Sequence, residues 1–197
     1  MVPHSGSIRH FYSMPNKPRK QTVIPALRTA EDVAAAVNCD SKMVFLLSGN
    51  ICTLGETCRA LHDAGKMVML HIDLIDGLKG DESGIRYAVG EFGLAGIIST
   101  KASCLNIAKE LGIISILRVF VIDSSALKTG IAHVQACSPN FVEVLPGVSE
   151  KIIKLALGQF RTSVIAGGLI ADRVDVELAL KAGATAVSTS NRALWGP

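Results

Sequence analysis

Short apolar runs alternate with helical stretches along almost the whole chain. Eight runs are rich in β-branched and other apolar residues, and they lack the strict apolar–polar alternation of a half-exposed sheet. They cover residues 22–27, 43–47, 67–73, 96–100, 113–122, 141–145, 163–166 and 186–188. Nearly continuous hydrophobicity is typical of parallel strands that are covered on both faces. The pattern therefore predicts eight buried parallel strands.

Seven segments between these runs carry apolar residues at helical spacing, and several begin or end with capping signals. They cover residues 29–37, 55–64, 81–91, 102–111, 125–136, 150–158 and 173–182. A repeated strand-then-helix unit is compatible with an open doubly wound sheet and with a closed barrel. Because there are eight repeats, we predict an α/β fold of the (β/α)8 TIM-barrel type.

The last unit of the predicted barrel is incomplete. Only six residues follow Asn191, so the eighth helix is expected to be shortened or missing. That helix normally covers the outer face of the last strand, and we expect the N-terminal arm or a second subunit of a homodimer to take its place. The predicted organisation is a single barrel domain over residues 21–197, preceded by a basic and flexible arm over residues 1–20.

Composition limits the classes of protein to which the chain can belong. Its 197 residues are 49% hydrophobic and include 18 glycines, which predicts one substantial core. No apolar stretch is long enough for a membrane span, and no secretion signal is recognisable, so a cytoplasmic location is expected. The five cysteines are scattered without a C-x-x-C pair, which favours reduced, buried thiols. A formal net charge of +3 is too small to mark the whole chain as a nucleic-acid binder.

The last two predicted strands end in residues that suit an anion. The seventh is followed by Gly167 and Gly168, and the eighth continues into Thr189, Ser190 and Asn191. Glycines let backbone N–H groups approach an anion closely, and hydroxyl groups donate to its oxygens. In (β/α)8 barrels the loops after strands seven and eight frequently hold phosphate. We therefore predict that these five residues bind the phosphate of a small ligand.

Further polar residues occur at the C-terminal ends of the predicted strands, where barrels carry their chemistry. They are His71, Asp73, Lys101, Arg118 and Glu143, which we predict to make polar contacts with the ligand. His71 and Asp73 are two apart in one strand and should point to the same side, where they also suit acid–base work. Alternatively, His71 and Glu143 pair with each other or with Arg118 inside the barrel. Motifs for nucleotides and for zinc are absent, so no cofactor or metal is predicted.

Six stretches of the chain, taken in order, resemble a single protein family. They are LHIDLIDGL at 70–78, GIISTK at 96–101, RVFVIDSSA at 118–126, VLPG at 144–147, VIAGGLI at 164–170 and STSNRALW at 188–195. The family is that of the glycerol-3-phosphate-responsive antiterminators, also called glycerol uptake operon antiterminator regulatory proteins. The resemblance implies a barrel that senses sn-glycerol 3-phosphate and binds the mRNA leader of a glycerol-metabolism operon. It also implies that transcription then passes a terminator, without catalysis by the protein.

The only segment of the sequence that suggests RNA contacts is the arm before the first strand. This arm contains four basic residues and two aromatic residues but no acidic residue. The basic residues are Arg9, Lys17, Arg19 and Lys20. We predict that they follow RNA phosphates, and the alternative is a leader that only improves solubility. A second function also remains open, a barrel enzyme of the isomerase or lyase type that acts on a small phosphorylated metabolite.

Overall fold

Eight parallel strands form a closed barrel in the computed structural model, which describes residues 22–196. Neighbouring strands are hydrogen-bonded in chain order, and the last strand closes the ring by pairing with the first. The strands are β1 Val23–Leu27, β2 Met43–Leu46, β3 Met67–His71, β4 Gly96–Ser99, β5 Ile114–Phe120, β6 Phe141–Leu145, β7 Ser163–Gly167 and β8 Ala186–Thr189. The predicted (β/α)8 fold is confirmed, and the open sheet is excluded.

Each of the first seven strands is followed by an α-helix within residues 22–196. The helices are α1 Ala30–Asn38, α2 Leu54–Asp63, α3 Glu82–Phe92, α4 Ala102–Glu110, α5 Ser124–Cys137, α6 Glu150–Phe160 and α7 Arg173–Lys181. Their starts follow ordinary capping chemistry, as at α1, where Thr29 and Asp32 form a capping box. The seven predicted helices are therefore present, with ends that differ by one or two residues.

The strand alternation separates the core into two layers. Outward-facing residues such as Val44 and Leu70 pack against the helices, whereas inward-facing residues such as Phe45 and Met69 fill the barrel. Towards the C-terminal ends of the strands the inward positions become polar. These positions hold His71, Arg118, Glu143 and Ser188, all of them buried. The inside of the barrel therefore has an apolar core and, directly beneath the mouth, a layer of polar side chains.

A short 3-10 turn, Arg192–Leu194, stands where the eighth helix is normally found. Trp195 follows it, is only 2% exposed and donates from Nε1 to the Thr189 carbonyl at 2.8 Å. Val187, which faces outward from β8, belongs to the same buried cluster as Trp195. The shortened eighth helix is confirmed, and the chain's own ending covers β8. Additional cover of β8 by the N-terminal arm or by a second subunit, like the homodimer itself, stays a prediction.

Some expectations fall outside this barrel or are corrected by it. The predicted basic arm at 1–20, with its four RNA-contacting candidates, lies outside the described residues. Four cysteines are buried as expected, but Cys52 is exposed because it lies in the turn before α2. Within residues 22–196 no helix is both long and apolar enough to cross a membrane. The same part of the chain has no cluster of three or more His, Cys, Asp or Glu arranged for a metal ion.

Candidate ligand-binding site

A cavity of about 370 Å³ opens at the C-terminal ends of the strands. It is lined by Ala26, Arg28, Leu47, Arg118, Glu143, Leu145, residues 168–171 and residues 188–191. The structure thus brings six of the ten predicted ligand residues to one place, namely Gly168, Thr189, Ser190, Asn191, Arg118 and Glu143. The other four, Gly167, His71, Asp73 and Lys101, do not line this cavity.

Two side-chain hydrogen bonds hold the loop after β7 against the end of β8 and the segment that follows it. Thr189 Oγ1 donates to the Ile170 carbonyl at 2.9 Å, and Asn191 Nδ2 donates to the Ala171 carbonyl at 2.6 Å. The side-chain oxygen of Asn191 also accepts from Ala193 N at 3.1 Å. Since these side-chain donors are already engaged, Thr189 and Asn191 position the two loops that form the cavity wall.

Two residues that line the cavity have free backbone donors. No hydrogen bond within residues 22–196 uses the backbone N–H of Gly168 or Ser190. Gly168 has a φ of +80°, and a Cβ there would lie 3.1 Å from Leu145, so both its backbone angle and its surroundings favour glycine. Gly147 N donates to the carbonyls of Gly167 and Gly168, at 2.6 and 3.2 Å, and fixes this bend. Free amides in a fixed loop are the donors that a phosphate needs.

Arg28 is a cavity residue that the sequence analysis did not identify. It follows β1, and its backbone is held at both ends, because its N–H donates to Asp32 Oδ2 at 2.8 Å and its carbonyl accepts from Ser48 Oγ at 2.5 Å. Its side chain makes no ion pair within residues 22–196, so its charge is available to an anion. The sequence contained a signal for this position. Ile24 and Ala26 face the inside of the barrel, and the strand period of two places residue 28 on the same side.

A buried ion pair forms part of the cavity wall. Arg118 Nε donates to Glu143 Oε2 at 2.6 Å, and Ser188 Oγ donates to Glu143 Oε1 at 2.6 Å. All three residues are 7% exposed or less. Gly167 leaves room for them, because a Cβ there would lie 2.6 Å from Ser188 Oγ and 2.7 Å from Glu143 Oε1. Of the pairings considered from the sequence, the one between Glu143 and Arg118 is therefore present.

His71 is a neutral residue beside this pair. Burial, together with the positive charges of Arg118 and Arg28, lowers its pKa to about 4, although Asp73 acts in the opposite direction. Its Nδ1 is buried and has no hydrogen-bond partner within the described residues; Asp73 Oδ2 is 3.8 Å away. A neutral imidazole has one N–H donor and one acceptor nitrogen, so His71 can donate a hydrogen bond to a hydroxyl group and accept another.

Asp73 does not follow the strand alternation that the sequence analysis assumed. Strand β3 ends before it, and residues Ile72–Leu74 form a 3-10 turn. Its Oδ2 accepts from Ser99 Oγ at 2.8 Å and from Thr100 N at 3.0 Å, and Lys101 Nζ lies 3.2 Å from Oδ1. Burial alone would raise the pKa of Asp73, but these contacts outweigh it and lower the pKa. The carboxylate is thus charged and mainly joins the ends of β3 and β4.

The fold and the cavity together define a (β/α)8 barrel with a candidate anion site at its mouth. Comparison with known families identifies the particular one. A family model described as glycerol-3-phosphate responsive antiterminator matches residues 23–195. The chain belongs to this family.

Similar proteins extend over nearly the whole chain. The crystal structure of a glycerol uptake operon antiterminator regulatory protein from Listeria monocytogenes str. 4b F2365 is 34% identical, with a TM-score of 0.86, over 92% of this chain and 97% of that one. A glycerol uptake operon antiterminator-related protein from Thermotoga maritima MSB8 is also 34% identical, with a TM-score of 0.77, over 89% and 98%. The protein YgcP of Escherichia coli K12 is 33% identical over 90% of this chain and 93% of its own.

Barrel enzymes share only the architecture. An aldolase named QR15 is 14% identical with a TM-score of 0.68, over 88% of this chain and 91% of that one. At that identity the likeness shows the fold alone and carries no information about the reaction.

Proposed function

We propose that this chain senses sn-glycerol 3-phosphate and, as a regulator without catalysis, binds the mRNA leader of a glycerol-metabolism operon and promotes transcription through a terminator. The observation that carries the proposal is the meeting of Gly168, Ser190 and Arg28 in one cavity, where two free amides adjoin a free positive charge. Membership of the glycerol-3-phosphate responsive family supports the choice of ligand. Two similar structures carry names that refer to antitermination of a glycerol uptake operon.

The two ends of the cavity suit the two ends of this ligand. Its phosphate would accept hydrogen bonds from Gly168 N and Ser190 N, with Arg28 supplying the compensating charge. The glycerol hydroxyls would face Arg118 and Glu143, because a hydroxyl group can donate to a carboxylate and accept from a guanidinium. In this arrangement the buried ion pair acts as a polar recognition surface.

Two observations support binding without turnover. His71 lies outside the cavity wall, which removes the most obvious acid–base group. The oxygens of Asp73 face Ser99, Thr100 and Lys101, so this carboxylate is a poor candidate for a base. The proposal therefore predicts that sn-glycerol 3-phosphate incubated with the protein keeps its phosphorus NMR spectrum unchanged. Formation of a second phosphorus signal would favour the isomerase or lyase alternative.

Ligand binding is tested by thermal stabilisation, using a matched pair of glycine variants. The wild-type melting temperature should rise with sn-glycerol 3-phosphate, because a ligand that binds only the folded state stabilises it. Gly168→Val places a branched side chain in the cavity at a positive φ and should abolish this rise. Gly158→Val, at an exposed position of α6 with no neighbour within 4 Å of the added Cβ, should keep it. A full ligand response in the Gly168 variant would contradict the proposed position of the phosphate.

RNA binding is tested separately, because it depends on a different part of the proposal. Affinity for leader RNA should fall steeply as salt rises and should increase when sn-glycerol 3-phosphate is added. A variant with Arg9, Lys17, Arg19 and Lys20 changed to Gln should lose affinity and show a shallower dependence on salt. Unchanged affinity in that variant would leave the arm as a leader without RNA contacts.

A further inference from the structure

A second cavity of about 370 Å³ lies next to the first, between the end of β5 and the start of α5. We call it the β5–α5 groove; it is lined by Thr100, residues 118–120, Ile122, Asp123, Ser125, Ala126, Thr129, Gly130 and His133. Arg118 belongs to the linings of both cavities. One buried guanidinium therefore separates the candidate ligand site from the groove.

The groove presents apolar and aromatic surface to solvent. Phe120, the last residue of the otherwise buried strand β5, is 50% exposed, and Ile122, two residues further on, is 79% exposed. Phe120 lies two residues beyond Arg118, so both side chains project from the same side of β5 towards the mouth. A half-exposed aromatic ring beside a guanidinium is the arrangement on which unpaired nucleobases stack.

The polar groups of the groove favour a base over a phosphate. The Nε of Arg118 is taken by Glu143, and no hydrogen bond within residues 22–196 uses its two terminal nitrogens, which are free to donate to a base edge. Asp123 caps α5 by accepting from Ala126 N at 2.8 Å, and its carboxylate remains exposed at the rim. This negative charge repels a phosphate but can accept from the N–H groups of a base. The imidazole of His133, which also lines the groove, is a further group that can form a hydrogen bond with a base.

We propose that the β5–α5 groove binds a base of single-stranded RNA and that Arg118 couples this base to the ligand in the neighbouring cavity. The inference rests on the proposed RNA-binding function and names a contact surface for it within the barrel. Ligand hydroxyls that engage Arg118 and Glu143 hold the guanidinium in one orientation. The base then meets a donor that is already ordered, so less entropy is lost when it binds. By linkage, the base increases the affinity for the ligand by the same factor.

The test uses a fluorescently labelled, random-sequence single-stranded RNA of about ten nucleotides, a length within the range of site sizes of single-strand binding proteins. Anisotropy titrations with and without sn-glycerol 3-phosphate compare Phe120→Ala with Tyr87→Ala. Tyr87 is a matched control because it is an aromatic residue on α3 with the same 50% exposure. Loss of one stacked base predicts that Phe120→Ala weakens RNA binding about tenfold. Tyr87→Ala should bind as the wild type does.

Further measurements separate stacking from a general loss of structure. Phe120→Tyr keeps the ring and should retain the RNA affinity, and Phe120→Ala should still be stabilised thermally by sn-glycerol 3-phosphate.

Three outcomes would contradict the inference. Ligand-dependent RNA binding that is equal in wild type and Phe120→Ala would overturn this inference and leave the proposed function standing. Failure of the wild type to bind this RNA would overturn the inference, and failure to bind the leader RNA as well would overturn both. If Phe120→Ala instead abolishes self-association in sedimentation and leaves RNA binding intact, the groove holds a second copy of the chain and the inference is wrong.

Discussion

Arg192 Nε donates to Asp32 Oδ1 at 2.6 Å, although 160 residues separate the two in sequence. The other oxygen of the same carboxylate accepts from Arg28 N at 2.8 Å and Thr29 N at 3.0 Å, at the start of α1. Arg192 belongs to the 3-10 turn that replaces the eighth helix. This contact therefore joins the 3-10 turn at 192–194 to α1, across the seam where β8 meets β1.

The first prediction concerns the stability that this contact provides. Asp32 is 5% exposed and accepts three hydrogen bonds, so Asp32→Ala should lower the free energy of unfolding by about 3 kcal/mol. Arg192→Met should cost about 1 kcal/mol, because the arginine side chain is 47% exposed and its ion pair is partly screened. Urea denaturation measures both, with Glu56→Gln on α2 as a surface control. Equal losses for the two variants would show that the cap contributes little.

The second prediction concerns the buried pair of Arg118 and Glu143. Glu143→Gln leaves a guanidinium buried without its counter-charge and should cost about 3–5 kcal/mol of unfolding free energy. Replacing both partners, Arg118→Met with Glu143→Leu, removes the unpaired charge and should recover much of that loss. The double variant should nevertheless fail to respond to sn-glycerol 3-phosphate in a thermal shift assay. A stable double variant with a full response would mean that the pair is structural only.

The third prediction is a pH dependence that arises from His71. Its pKa is about 4 in the folded protein, whereas an unfolded histidine titrates near 6.5. Between these values the unfolded state binds more protons, so stability falls as the pH is lowered from 7 to 5, by about 2 kcal/mol from this residue. His71→Asn should remove that part of the slope. Urea unfolding of the wild type and of His71→Asn at pH 7, 6 and 5 gives the change in unfolding free energy with pH for each protein. The same pH dependence in both proteins would contradict the burial of a neutral imidazole.

The fourth prediction concerns the positive charge of Arg28. Arg28→Met should weaken binding of sn-glycerol 3-phosphate at least about tenfold, because a charge-assisted contact to the phosphate is lost. The loss should shrink at high salt, where the wild type also loses affinity. Arg86→Met is the matched control, since Arg86 pairs with Glu82 and Glu110 on the helix surface. Isothermal titration calorimetry measures both, and an equal effect of the two variants would exclude a local role for Arg28.

Secondary structure followed from the sequence wherever local pattern decides it. Runs such as 43–47 are apolar on both faces of the strand. Both faces are buried only when helices cover the outside of the sheet and side chains fill the inside of the barrel. The end of β3 was placed two residues too late, at 73 instead of His71. The turn there is held by Asp73, which accepts from Ser99 and Thr100 at the end of the next strand, β4. That contact joins residues more than twenty-five apart, and no local pattern reveals it.

By itself, the sequence determined that polar groups stand at one end of a parallel barrel, because alternating residues on parallel strands point the same way. Only the tertiary structure decided which of them meet. The loops after β7 and β8 share a cavity because Thr189 and Asn191 fasten them together, and Arg28 enters it from the far end of the chain because β1 lies beside β8. These contacts depend on the order of the strands around the closed barrel, because that order brings side chains that are distant in sequence within hydrogen-bonding distance.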